Sequence, residues 1–361
     1  MIRVLIVDDS TTVRKIVVDC LRAGGIDVIG EAASGSEAVT LTRRLRPDVV
    51  LMDVVMPDGD GLAATRQIMA EIPTPIVILS GHANRQEVFK TYDALAAGAL
   101  EVCAKPTRGG EESRMAWRNI LCIVRAASQV RVTKLSQHAS RPDARSMRAA
   151  GLPVGANPPK SEWGVVAIGA STGGPVAVRE ILRNLPPDFP LPILVAIHCS
   201  RQLPTSIAGW LDRECLLKVS DAQNGERLPD RPGTVIVAPP GRNLRISGGR
   251  TVLSDAGDES AYVPSIDELF TAAAESLGKA TIGVLLTGMG ADGARGLKQI
   301  RDRGGCTIAE DEASCVVFGM PAAAIELGAV EHVTPLHRIP WLLARLAGSS
   351  PRTPGPTGAG S

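Results

Sequence analysis

The sequence predicts two α/β domains, each a doubly wound, mainly parallel sheet, with a β-hairpin in the second. Three observations predict it. Short β-branched runs alternate with helix-spaced segments through both halves of the chain. That rhythm breaks once, near the middle, in a basic stretch bearing Pro and Gly. The 361 residues are enough for two cores.

Bulk composition narrows the function classes. Lys and Arg number 39 against 38 Asp and Glu, which argues against a nucleic-acid binder relying on bulk charge. The N-terminus reaches Asp8 and Asp9 within ten residues, unlike a signal peptide, and no apolar run approaches a membrane span. Seven scattered cysteines without a C-x-x-C pair read as reduced thiols of a cytoplasmic protein. Aromatics are 3%, so Val, Ile, Leu and Ala must build the cores.

The first domain spans residues 1–125. Its expected strands are Val4–Val7, Val28–Ala32, Val49–Met52, Ile76–Ser80 and Leu100–Ala104. Helix-like stretches lie between them: Thr12–Ala23, Ser36–Leu45, Gly61–Glu71 and Arg85–Ala97. Glu111–Val130 has the spacing of a last amphipathic helix. Such a sheet puts its site at the carboxyl ends of its strands. Asp8 and Asp9 end the first strand, Asp53 the third and Ser80 the fourth, and Lys105-Pro106 follows the fifth. Three converging carboxylates repel unless a hard cation sits among them, and Mg²⁺ suits oxygen ligands. Carboxylates, Mg²⁺, a lysine and a hydroxyl are what phosphoryl transfer onto a carboxylate oxygen needs. Any one aspartate alone could be a solvated strand end, and Asp9-Ser10 could cap the helix from Thr12.

Val7-Asp8-Asp9-Ser10, Leu51 to Gly61 (Leu-Met-Asp-Val-Val-Met-Pro-Asp-Gly-Asp-Gly), Ser80 and Lys105-Pro106 together resemble a response-regulator receiver domain, a flavodoxin-like fold. The resemblance implies Asp53 as phosphoacceptor. Asp9, Asp53 and the Val55 carbonyl would hold Mg²⁺, and Asp8 would contact it through water. Ser80 would close over the phosphoryl group and Lys105 would pair with it. Receivers often have an aromatic switch residue three positions before this lysine. This chain has Val102.

Residues 126–161 read as a linker. From Arg125 to Lys160 seven basic residues face one acid, Asp143. A docking segment for an acidic partner is the sharper reading of that charge, and a solvated linker is the plainer one.

Residues 162–346 resume the rhythm, and 347–361 form a Pro/Gly/Ser tail that reads as disordered. Expected strands are Val165–Gly169, Ile193–Ile197, Thr234–Ala238, Thr281–Thr287, Thr307–Glu310 and Val330–Val333. Leu244–Ser247 and Thr251–Ser254, turning at Gly248-Gly249, read as a hairpin inserted in the sheet or at its edge. The first strand runs into Gly169-Ala170-Ser171-Thr172-Gly173, a G-x-S-x-G turn, with helix spacing from Val176 to Asn184. A serine on such a turn projects its hydroxyl above the sheet edge, before free N–H groups of a helix start. A phosphate-binding or purely structural Gly-rich turn fits the same residues.

A serine nucleophile needs a base, and the base an orienting carboxylate. His198 ends a strand, like Ser171, and Asp292 follows another in Thr287-Gly288-Met289-Gly290-Ala291-Asp292. Three strands of one sheet would deliver all three to one edge. The order Ser…Asp…His of many hydrolases would instead select His332 or His337. Asp292 alone could cap the helix beginning near Ala294.

Five stretches resemble the catalytic domain of the chemotaxis protein-glutamate methylesterases. They are Ile168 to Gly174, His198 with Leu203-Pro204, Pro264 to Phe270, Thr287 to Gly293, and Glu310 to Pro321. The resemblance implies Ser171 as nucleophile, His198 as base and acid, and Asp292 as orienting carboxylate. Oxyanion support would come from N–H groups near Thr172 and the loop at Met289. It implies hydrolysis of glutamate methyl esters on chemoreceptor helices to glutamate and methanol, with glutamine deamidation as a second activity. A chemotaxis histidine kinase would be the phosphodonor, and Mg²⁺ would serve the receiver while the esterase site takes no cofactor. In that family the receiver blocks the catalytic edge until phosphorylated. A monomer, with no nucleic acid and no membrane insertion, is expected. Family members often carry histidine where this chain has Asn243. The competing class is a non-enzymatic, phospho-gated regulator whose Gly-Ser turn is structural.

Overall fold

The computed structural model describes residues 1–56, 61–81, 92–105, 111–130, 163–198, 206–255 and 263–349. Pro57 to Asp60, most of the expected helix 85–97, Pro106, residues 131–161 of the linker, Leu203-Pro204 and residues 350–361 of the tail lie outside them. The described residues fall into two compact units, and each is described by itself.

In the first unit β1 (Arg3–Val7), β2 (Asp27–Ala32), β3 (Val49–Asp53), β4 (Ile76–Ser80) and β5 (Glu101–Ala104) form one sheet in the order β2-β1-β3-β4-β5. Every pairing is parallel. β3 and β4 are buried along their whole length, which is why they read as unbroken apolar runs. Helix α1 (Thr11–Ala23) starts at Ser10, whose Oγ accepts the Val13 N–H. α2 (Gly35–Leu45) carries a reciprocal cap: Ser34 takes the Glu37 N–H, and Glu37 takes the Ala33 N–H at 2.8 Å. α3 (Gly61–Glu71) must begin with glycine, because a Cβ at Gly61 would collide with the Asp53 carbonyl. α4 (Glu111–Ala127) closes the unit. The strand order reverses between β1 and β3, and the crevice there holds the ends carrying Asp8 and Asp53.

The second unit is a seven-stranded sheet of β6 (Val165–Ala170), β7 (Ile193–Ile197), β8 (Lys218–Asp221), β9 (Thr234–Val237), β12 (Thr281–Leu285), β13 (Cys306–Glu310) and β14 (His332–Thr334). Its order is β14-β13-β12-β6-β7-β9-β8, parallel throughout. β6, β7, β12 and β13 are buried at every residue. Each fully buried Val or Ile there contributes about 1.5–3 kcal/mol of burial free energy. From β6 the chain winds one way through β7, then returns to lay β12 on the other side, so the switch point lies between β6 and β12.

Three features differ from the sequence expectation. β8 was not expected: Lys218-Val219-Ser220-Asp221 has one apolar residue that is buried, which suffices only for a sheet edge. The hairpin, β10 (Arg242–Ser247) and β11 (Arg250–Asp255), is neither inserted in the large sheet nor at its edge. It is a separate two-stranded ribbon turning through positive φ at Gly248 and Gly249. Its inward Leu244 and Ile246 join Leu269, Phe270 and Ala273 of helix α7 (Ile266–Leu277) in one core cluster, while Arg245 and Ser247 face out. A ribbon with one apolar face covers a helix, not the interior of a sheet. Finally, the last strand is His332–Thr334, displaced from Val330–Val333, and just before it the Glu331 N–H bonds Thr307 of the neighbouring β13.

Candidate active site and phosphoacceptor site

The first unit gathers Asp8, Asp9, Asp53, Ser80 and Lys105 at the carboxyl ends of its strands. Lys105 Nζ lies 2.7 Å from Asp8 Oδ2 and 2.6 Å from Asp53 Oδ2. The other oxygens are held by the backbone: Ser10 N–H donates to Asp8 Oδ1 at 2.8 Å, and Val55 N–H to Asp53 Oδ1 at 3.1 Å. Asp8 and Asp53 are buried and Asp9 is exposed. Ser80 is buried, and its carbonyl accepts the Lys105 N–H, which ties the hydroxyl-bearing strand end to the lysine. Val102 is buried on β5.

The donor set suits a hard divalent cation. Asp8, Asp9 and Asp53 each offer an oxygen within 4.8 Å of the others. Burial pushes the Asp53 carboxyl up, and Asp8 adds to the rise, against the pull of Lys105 and the Val55 N–H. One ammonium does not offset that crowding. Lys105 is itself buried enough to favour its neutral form, yet Asp53 and Asp8 hold it charged.

The second unit delivers three side chains from three adjacent strands. Ser171 follows β6, His198 follows β7, and Asp292 lies beyond β12. His198 Nδ1 is 3.2 Å from Ser171 Oγ, and Nε2 is 2.7 Å from Asp292 Oδ2. The ring thus turns Nδ1 to the serine and Nε2 to the carboxylate, the reverse of the template Ser-His-Asp arrangement. With Nε2–H donating to Asp292, Nδ1 is left with its lone pair toward the hydroxyl. His332 pairs instead with Glu331 at 3.7 Å, and His337 lies in the turn at residues 336–338.

Asp292 does cap a helix, but not the one that follows it. Its Oδ2 accepts the Ile266 N–H at 2.7 Å, and its Oδ1 accepts the Asp267 N–H at 3.0 Å and the Ser265 hydroxyl at 3.3 Å. The carboxylate therefore sits at the positive end of α7. Burial alone would raise its pKa, but His198 and the Ile266 and Asp267 N–H groups hold it below the ordinary value. The helix α8 (Ala294–Asp302) starts at Gly293.

The turn needs its glycines. Gly173 has φ +77°, in the left-handed region, and starts helix α5 (Gly174–Asn184). A Cβ on Gly288 would sit 2.6 Å from Ser171 Cβ. The Ser171 N–H donates to the Thr287 carbonyl at 3.0 Å, so it is not available to an oxyanion. The N–H groups of Thr172 and Met289 have no hydrogen-bond partner among the described residues.

Comparison with known proteins matches both halves. The CheB methylesterase family model matches residues 166–343, a span containing Ser171, His198 and Asp292. The response regulator receiver domain model matches residues 4–112, which contain Asp8, Asp9, Asp53, Ser80 and Lys105. A protein-glutamate methylesterase/protein-glutamine glutaminase of Anaeromyxobacter dehalogenans is 43% identical over 350 residues, 96% of this chain and 97% of that one. The chain belongs to this methylesterase family. A second member, from Syntrophus aciditrophicus, is 40% identical over 97% of this chain and 99% of its own. The solved catalytic domain of the Thermotoga maritima CheB methylesterase covers 51% of this chain and 99% of its own, at 39% identity and a TM-score of 0.48.

Sequence reading missed several residues of this methylesterase's site. Ser265 and Glu268 form an S-x-x-E capping signature that could have been read as a helix start. Here Asn243 lies between them: its Oδ1 accepts the Ser265 N–H and its Nδ2 donates to Glu268, both at 2.8 Å. Asn243 thus steadies the helix end that holds Asp292. Thr287 and Glu310 gave no signal as single residues.

No helix among the described residues is long and apolar enough to cross a membrane.

Proposed function

We propose that this chain is a phosphorylation-activated protein-glutamate methylesterase working through Ser171, His198 and Asp292. The observation that carries the reading is the hydrogen-bonded chain from Ser171 through His198 to Asp292, set on three adjacent strands of a family member. Ser171 Oγ attacks the γ-carbonyl carbon of a methylated glutamate on a chemoreceptor helix, and His198 Nδ1 takes its proton. The Thr172 and Met289 N–H groups are the donors for the carbonyl oxygen as it gains charge. Asp292 stays ionised and stabilises the imidazolium. The tetrahedral centre collapses, the C–O bond to the methoxy group breaks, and His198 returns the proton so that methanol leaves. Water, deprotonated by His198, then attacks the acyl-serine ester and frees glutamate and Ser171. The same steps on a glutamine amide release ammonia, which gives the second activity.

Asp53 is the phosphoacceptor, supplied by a histidine kinase. Asp8, Asp9 and Asp53 would hold Mg²⁺, which when bound neutralises charge on the transferred group. Lys105 pairs with the phosphoryl oxygens in place of its present carboxylate partners, and Ser80 hydrogen-bonds them. Phosphorylation shifts the population toward an arrangement open to receptors.

The test is methanol release from methylated receptor fragments by wild type and S171A, each with and without a small phosphodonor plus Mg²⁺. Release that needs Ser171 and rises with phosphodonor supports both parts. No release in any arm, with Asp53 still taking phosphate, leaves a phospho-gated binding protein.

A further inference from the structure

Glu310 is the last residue of β13, and it is completely buried. Its Oε2 accepts the Thr287 N–H at 2.9 Å, and its Oε1 has no hydrogen-bond partner among the described residues. A buried carboxyl half-satisfied in this way is costly to keep. Its backbone partner, Thr287, shows where that cost is applied.

Thr287 ties the Ser171 turn to the segment around Val317. Its carbonyl takes the Ser171 N–H at 3.0 Å. Its hydroxyl donates to the Thr172 carbonyl and accepts the Val317 N–H, both at 2.9 Å. It also opens the loop Thr287-Gly288-Met289-Gly290-Ala291-Asp292, which carries an oxyanion donor and the orienting carboxylate. That loop is rich in glycine, so it has few side chains to fix its own path. Its position is imposed by neighbours: the Gly288 N–H on the Val317 carbonyl, the Gly319 and Met320 N–H groups on the Gly288 carbonyl, and Glu310 on Thr287.

We propose that Glu310 is a positioning residue for the esterase reaction, anchoring Thr287 and through it fixing the Ser171 turn and the Met289 loop as one block. The inference rests on Ser171 being the nucleophile. Burial, reinforced by neighbouring Asp311, pushes the Glu310 carboxyl up, against the Thr287 N–H and its neighbours Ser314 and Cys315.

The experiment uses full-length protein with phosphodonor and Mg²⁺, and measures kcat and KM for methanol release. Glu310→Met keeps volume and removes the acceptor oxygens. Losing one buried hydrogen bond behind the nucleophile is expected to lower kcat by about tenfold, with KM within about twofold. Glu310→Gln keeps an acceptor and should restore kcat to within about threefold of wild type. Thr287→Val removes the hydroxyl ties to Thr172 and Val317, leaves the N–H to Glu310, and should also lower kcat at constant KM, which keeps the test intact if Glu310→Met does not fold. Wild-type kcat in Glu310→Met or Thr287→Val, or a change in KM alone, overturns the proposal while S171A remains inactive. An active S171A overturns the nucleophile reading, and this inference with it.

Discussion

Asp292 Oδ2 accepts the backbone N–H of Ile266 at 2.7 Å, through the same oxygen that faces His198. The carboxylate that faces His198 is thus also the anion at the start of a core helix. Asp292→Asn keeps the shape but turns an amide N–H toward donors. It should lower kcat by on the order of 10⁴-fold, as an orienting aspartate lost from such a triad does. The pH dependence has a definite sign. Because the folded state holds the Asp292 pKa below 3.8, its stabilisation is complete above that value and is lost as pH falls through the depressed one. Acid unfolding of wild type and Asp292→Asn, followed by circular dichroism, should therefore converge at the lowest pH.

Ser171→Ala should leave the fold and Asp53 phosphorylation intact while reducing methanol release by on the order of 10³-fold or more. Single-turnover assays with methylated receptor fragments measure this directly.

Gly288→Ala tests the packing beneath the nucleophile. Its new Cβ would lie 2.6 Å from Ser171 Cβ, with the Met320 side chain also in the way. The serine must move, so kcat should drop at least about tenfold and the melting temperature should fall, as overpacking costs about 1–3 kcal/mol. Gly288 does not have a positive φ, so the effect reports packing rather than left-handed backbone strain.

Lys105→Met removes the ammonium that lies between Asp8 and Asp53. Without Mg²⁺ it should destabilise the first unit by about 3 kcal/mol, because two buried carboxylates lose their counter-ion. Mg²⁺ affinity should rise, since a competing cation is gone. Titrating Mg²⁺ against the unfolding midpoint measures both effects.

Glu310→Gln should change how stability depends on pH. The folded state raises the Glu310 pKa above 4.5, so wild type is favoured below that value and loses the advantage as pH rises through the folded one. The Gln variant has no such decline, so its unfolding midpoint should gain on wild type between acid and neutral pH.

The legible parts of the sequence were those that repeat or cluster. Buried parallel strands such as Val49–Asp53 and Ile193–Ile197 are runs of apolar residues, and chemistry-bearing residues at their carboxyl ends stand out by position. β8 was hidden because an edge strand needs only Val219 buried. The hairpin's partner was hidden because alternation tells which face is buried, not what covers it. Asp292 shows the same limit: its capping role was visible, but the helix it serves begins 26 residues earlier in the chain. Glu310 and Thr287 meet at a backbone N–H, which carries no residue-type signature.

The sheet order also bears on how the chain emerges from the ribosome. β6, which carries the nucleophile turn, is bonded on one side to β7 and on the other to β12, whose first residue is Thr281. Until that residue is made, Val165-Val166-Ala167-Ile168 presents one open, apolar strand edge to its surroundings. Such edges recruit other strands. On the proposed Ser171-His198-Asp292 reading, catalysis also waits for that interval to end, because Asp292 follows β12 in the chain. Newly synthesised chains therefore need shielding until most of the polypeptide has been translated.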